Sequence, residues 1–148
     1  MTRLLSLLGI LAVLGLLAAP STALAQRGGM ATRMYDLTTV ETIQGPVTAL
    51  DTVTSRGGGP GRTGRHQGLH LQVDTGDETL PVHLGPLFYL QDQALTLQVG
   101  DTVTVRGSRV TMRNAPALIA ARIQSGDRTW TLRDHRGRPA WRGQRRRN

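Results

Sequence analysis

The plainest pattern in the chain lies between Gly68 and Gly85. Leu69, Leu71 and Val73 alternate with His70, Gln72 and Asp74, and Leu80, Val82 and Leu84 alternate with Pro81 and His83. Period two on both sides of a Thr75–Gly76–Asp77 turn reads as a β-hairpin with one buried face. Directly opposed residues share a face, so the two apolar sets must meet. A four-residue loop, 75–78, pairs Val73 with Leu80, Leu71 with Val82 and Leu69 with Leu84, and it sets His70 opposite His83 on the outer face. A two-residue Thr75–Gly76 turn would instead pair His70 with Pro81.

The flanking segments carry the same kind of signal. Val40, Ile43, Val47, Leu50 and Val53 predict one long strand, bent or bulged where Gly45–Pro46 interrupts it. Residues 55–68, "SRGGGPGRTGRHQG", form a basic loop. After the hairpin, Gly85–Pro86 is read as a strand stop, with Pro86 in the first turn of a helix. Leu87, Leu90 and Ala94 then have helical spacing, giving about three turns at most before Gly100. Val103, Val105, Val110 and Met112 predict a fourth strand, with a bulge or sharp bend at Gly107–Ser108. A turn at Arg113–Pro116 leads into a short apolar strand, Ala117–Ile123. A strand through Trp130 and Leu132, a turn at 135–137 and a return to Trp141 close the pattern, with Trp130 and Trp141 facing across this terminal hairpin.

Hydropathy at the N-terminus changes the picture of the whole. Arg3 precedes a 16-residue run without a charge, Leu4–Ala19, and Ala23–Leu24–Ala25 has the small-x-small form of a cleavage site. The run is short for a membrane span. Residues 1–25 are therefore read as a signal peptide cleaved before Gln26, which makes the mature chain exported, periplasmic and without a transmembrane segment. The remaining organisation is a mobile leader (26–37), one folded domain (38–133) and a basic Arg-rich tail (134–148). There is no cysteine, so no disulfide, thiol nucleophile or thiolate metal site exists.

All 18 basic residues are arginine; 17 follow the signal peptide, against 10 acidic residues. Six of them lie after Arg133, so the charge is concentrated in the tail and bears on partners more than on the fold.

The element order is a long bent strand, a hairpin, a short helix and two further strands. That is the order of an all-β, five-stranded OB-fold-like barrel with one short helix between strands 3 and 4, here with a C-terminal hairpin extension. A small antiparallel sandwich is the competing arrangement. "MYDLTTVETIQGPV" (34–47), "LPVHLGPLFYL" (80–90), "VGDTVTVRGSRV" (99–110) and "LRDHRGRPAW" (132–141) resemble small exported bacterial OB-fold proteins. Proteins of that kind are often labelled DNA-binding, are similar to domains of magnetosome-associated proteins, and share their plan with the bacterial OB-fold family of periplasmic proteins. The resemblance implies the fold and the cellular address; it implies no reaction.

Motifs for catalysis are absent. There is no Gly-x-Ser-x-Gly elbow and no His-Glu-x-x-His, and "GGGPGRTG" lacks the Gly-Lys-Ser/Thr ending of a phosphate loop. The expectation is a non-catalytic binding or accessory module without a cofactor, serving a periplasmic protein or a small ligand. Two alternatives carry named residues. Weak, sequence-independent nucleic-acid or polyanion binding would use Arg56, Arg62 and Arg65 of the loop with Arg136, Arg138, Arg142, Arg145, Arg146 and Arg147 of the tail. Surface metal binding would use the opposed His70 and His83.

Overall fold

The computed structural model describes residues 34–56 and 65–144. The signal-peptide segment, residues 26–33 of the leader, Arg62 and Arg145, Arg146 and Arg147 lie outside the described residues. A 3-10 turn, Leu37–Thr39, leads into β1 (Val40–Arg56). Then follow β2 (Arg65–Asp74), β3 (Thr79–Pro86), α1 (Leu87–Asp92), β4 (Thr102–Met112), β5 (Ala115–Ser125) and β6 (Arg128–Thr131).

The strands lie in the order β3-β2-β1-β4-β5-β6, and β3 also pairs with β5. That second pairing is parallel, Val82 with Leu118 and His83 with Ile119, and it closes five strands into a barrel. β6 lies outside the closure, antiparallel to β5. With α1 between the third and fourth strands, this is the OB-fold barrel expected from the element order.

The long first strand serves two partners. Val40–Pro46 pairs with β4, and Val47–Arg56 pairs with β2. The change falls at Pro46, which has no N–H to offer a ladder. Thr48 is the extra residue of a bulge between the Val47–Val73 and Ala49–Gln72 pairs. Gly45 permits the change of partner: a Cβ there would stand 1.8 Å from the carbonyl oxygen of Asp74. The irregularity expected at Gly107–Ser108 of β4 lies on the partner strand: Arg106 pairs with Arg122 but Gly107 with Ala120, so Ala121 of β5 is the extra residue of the bulge.

The inward residues make one core. Leu71, Val73, Leu80, Val82, Leu84, Val103, Val105, Leu118 and Ile123 are at most 1% exposed. Fully burying each such side chain contributes roughly 1.5–3 kcal/mol. Tyr89 and Leu90 of α1 close one end of this core, with Phe88, Leu95 and Leu97 packed against it.

Four local expectations need correction. The hairpin pairs Val73 with Leu80, Leu71 with Val82 and His70 with His83, but Leu69 lies opposite Gly85 and not Leu84. Leu84 is the extra residue of a bulge there, and it stays fully buried. Gly85–Pro86 does not stop the strand: β3 runs through both, and Pro86 is the extended cap (ψ 134°) before α1. The helix has only six residues, because Ala94 takes φ 49° and returns Leu95 and Leu97 to the core. In the β4–β5 hairpin, Arg113 and Asn114 both have positive φ (51° and 66°), so the turn is a two-residue one and β5 begins at Ala115.

Candidate functional site

His70 and His83 sit at the centre of the outer β2–β3 face, directly opposed in the ladder. His83 Nδ1 and His70 Nε2 are 2.9 Å apart, with ring centroids at 3.9 Å and planes at 65°. One nitrogen must carry the proton and the other must accept it. Burial pushes the His83 imidazolium down to about 4, and His70 and Arg113 push the same way. Burial lowers His70 as well, opposed by Asp51, its partner across the β1–β2 ladder. Both rings are therefore neutral at neutral pH.

The pair forms one wall of a pocket of about 270 Å³. His66 and Met112 belong to the strands around it, Met34 precedes the 3-10 turn, and Arg133 and Trp141 come from the segment after β6. Ile119 lies beside His83 across the barrel closure and is only 4% exposed, yet it stands outside the main core cluster. It adds a buried apolar side chain to the lining next to His83.

The far wall is built by residues that no local pattern connects. Arg133 is 6% exposed. Its guanidinium lies 5.1 Å from the Trp141 ring centroid and 5.6 Å from that of Tyr35, a cation between two aromatic faces. Its Nη1 donates to the Gly137 carbonyl at 3.2 Å, and its buried Nε has no hydrogen-bond partner. Burial lowers its pKa, while Tyr35 opposes that shift. Trp141 also packs on Tyr89, with centroids 5.5 Å apart, and is tied back through the Ala140 N–H to the Leu132 carbonyl (3.0 Å).

Trp130 does not face Trp141 across the terminal hairpin. Its Nε1 donates to the Gln93 carbonyl at the end of α1, 3.2 Å away, with the Arg128 guanidinium over its ring.

Of the candidate polyanion residues, Arg56 and Arg65 are directly opposed in the β1–β2 ladder. Arg136, Arg138 and Arg142 are exposed on the segment after β6. There Asp134 Oδ1 accepts the backbone N–H groups of Arg136 and Arg138, both at 2.9 Å. A second, more open depression of about 470 Å³ adjoins Arg109, whose guanidinium is already engaged by Glu41 (2.7 Å) and Glu78 (2.6 Å). Among the described residues, no group of three or more His, Asp or Glu side chains is gathered around a metal position. No helix among them is long and apolar enough to cross a membrane.

Barrel closure by the β3–β5 pairing and the helix between the third and fourth strands define an OB-fold domain. The chain belongs to the MamS/MamX magnetosome protein family, whose model matches residues 39–130, more than half of the sequence. No curated protein matches it. Among solved structures it is similar to a chain of the S. pombe Stn1-ten1 complex, at 21% identity and a TM-score of 0.42, over 60% of this chain and 59% of that one.

Proposed function

We propose that the protein is a non-catalytic binding module that takes a small ligand in the pocket over the His70–His83 pair. The observation that carries this reading is the pocket itself, where two neutral imidazoles face an aromatic wall that holds a buried arginine. The pocket lies on the outer face of β2 and β3, the face with which OB folds bind their ligands, and that part of the argument is analogy at the level of the fold. Among the described residues its walls hold no serine, threonine or carboxylate, which supports a binding role over a catalytic one.

A thermal-shift screen of small ligands tests the assignment, because a ligand that binds only the native state raises Tm by mass action. Compounds that stabilise the wild type are expected to lose that effect in His83→Gln and in Trp141→Ala. Stabilisation that persists in both variants puts the ligand elsewhere.

The apolar run Leu4–Ala19 and the Ala23–Leu24–Ala25 site support export to the periplasm as part of the same proposal. A mature N-terminus at Gln26, read by mass spectrometry of the periplasmic fraction, is the expected result; an intact Met1 in the cytoplasmic fraction contradicts it.

A second reading is weak polyanion binding, favoured by the directly opposed Arg56 and Arg65. Such binding should be salt-sensitive and independent of base sequence. A labelled oligonucleotide that stays unbound even at low salt removes it.

A further inference from the structure

Three of the four histidines in the chain, and both methionines among the described residues, line the single pocket described above. They arrive from separate parts of the sequence: Met34 before β1, His66 and His70 from β2, His83 from β3 and Met112 from the end of β4. Nothing in core packing requires this gathering, since none of the five belongs to the buried core cluster. Together they offer imidazole nitrogens and thioether sulfurs without one carboxylate in the lining.

We propose that this pocket is a soft-metal site that binds one copper(I) ion through His70, His83 and Met112, with Met34 as the further sulfur donor at its edge. The proposal rests on the reading of the pocket as the ligand site and names the ligand.

Three observations select copper(I). First, thioether sulfur is a soft donor that favours copper(I), whereas hard ions such as magnesium, calcium and manganese need carboxylate or carbonyl oxygen. The lining supplies sulfur and nitrogen and holds no acid. Second, the ring nitrogens of His70 and His83 are 2.9 Å apart. Two nitrogens each about 2.0–2.1 Å from one ion at a tetrahedral angle stand about 3.3–3.4 Å apart, so the rings need to separate by only about 0.4–0.5 Å to share a copper(I) ion. A modest turn of each ring then aims both lone pairs at the ion in place of the hydrogen bond between them. Third, the fixed charge in the wall is positive: Arg133 is part of the lining, and Arg113 acts electrostatically on His83. Asp51, across the ladder from His70, is exposed and outside the lining. Repulsion from the arginines scales with the charge of the ion, so it penalises a monovalent ion half as much as a divalent one. The buried Ile119 side chain and the Trp141 wall limit the water that reaches the ion.

The test is an anaerobic titration of the full chain with copper(I) in competition with a chromogenic copper(I) chelator. One equivalent is expected to be withheld from the chelator. His83→Ala and Met112→Leu should each weaken binding by about tenfold or more, since even outer-shell changes cost 10–100-fold at metal sites. Met112→Leu nearly conserves volume and guards against loss of the fold. Its copper X-ray absorption spectrum should show fewer sulfur scatterers per copper than the wild type. His135→Ala, in the exposed turn after β6, should leave the affinity unchanged. The proposal is overturned if the chelator removes all copper(I) from the wild type, or if neither His83→Ala nor Met112→Leu changes the affinity. If copper(I) is not held while small organic ligands still lose their thermal shift in His83→Gln, the metal assignment alone fails and the pocket stands as a binding site.

Discussion

Gly85 lies directly beneath the indole of Trp141: a Cβ on Gly85 would stand 2.6 Å from Trp141 Cη2. The contact joins the end of β3 to the segment after β6 and builds the edge of the pocket. Gly85→Ala must therefore push the indole aside, at about 1–3 kcal/mol for overpacking. In a Trp141→Ala background the same substitution should cost clearly less. Chemical denaturation of the two single variants and the double variant measures this coupling; strictly additive effects would contradict the contact.

The segment 134–141 is part of the folded unit. Trp141 packs on Tyr89 and Arg133, and a Cβ on Gly137 would stand 2.4 Å from Tyr35 Cδ1. Ending the chain after Arg133 should lower stability by about 2–4 kcal/mol, somewhat below the cost of removing a fully buried tryptophan. Ending it after Gln144 keeps each contact just named and should retain the stability that they contribute. The second truncation is then the one to use for asking whether the final arginines bind a polyanion. Equal Tm values for the two truncations would show that the segment contributes nothing to the barrel.

Gly45 and Gly76 separate two reasons for glycine. At Gly45 a Cβ meets the backbone oxygen of Asp74 at 1.8 Å, and neither strand can yield without disturbing the point where β1 passes from β4 to β2. Gly45→Ala should cost more than about 4 kcal/mol or abolish folding. Gly76 has φ +89° with open space around it. Gly76→Ala should cost only the backbone strain, about 1–3 kcal/mol. Urea denaturation of the two variants orders them.

The histidine pair makes the metal-free protein sensitive to acid. Unfolded histidine takes up its proton near pH ~6.5, but folded His83 does so only near 4 and folded His70 below its ordinary value. Between these limits the unfolded state binds more protons, so stability falls as pH drops from about 6.5 towards about 4. It is fully present above that window. His83→Gln should flatten the dependence of Tm on pH in this range relative to wild type, because glutamine cannot titrate. An unchanged slope would mean that His83 protonates normally in the folded protein.

Much of the barrel was legible because both strand faces are coded simply. Alternation in β2 and β3 required the two apolar faces to meet, and of the two turn lengths open to the sequence the four-residue one forms, which sets His70 against His83. The bulge at Leu84 was not legible: Gly85–Pro86 carries a stop signal, and only the need to bury Leu84 and seat Trp141 explains why the strand continues. The helix was over-read because Ala94 fits helical spacing, whereas the return of Leu95 and Leu97 to the core ends it. The far wall of the pocket left no local signal. Tyr35 and Arg133 meet from opposite ends of the domain, and Arg133 in the sequence looks like one more arginine in a basic chain. The bridge between Arg133 and Pro139 closes the turn that brings Trp141 back to Arg133, a contact that forms only in the folded chain.

The most direct test of the pocket as the binding site is a nitrogen-15 spectrum of the side chains, recorded while a small-fragment mixture and, separately, copper(I) are added. The protein contains its own controls, because His135 and Trp130 lie outside the pocket while His70, His83 and Trp141 line it. Movement of the His70, His83 and Trp141 signals, with His135 and Trp130 still, is the predicted result. Movement confined to His135, Trp130 or the arginines after β6, or no movement with either addition, would contradict it.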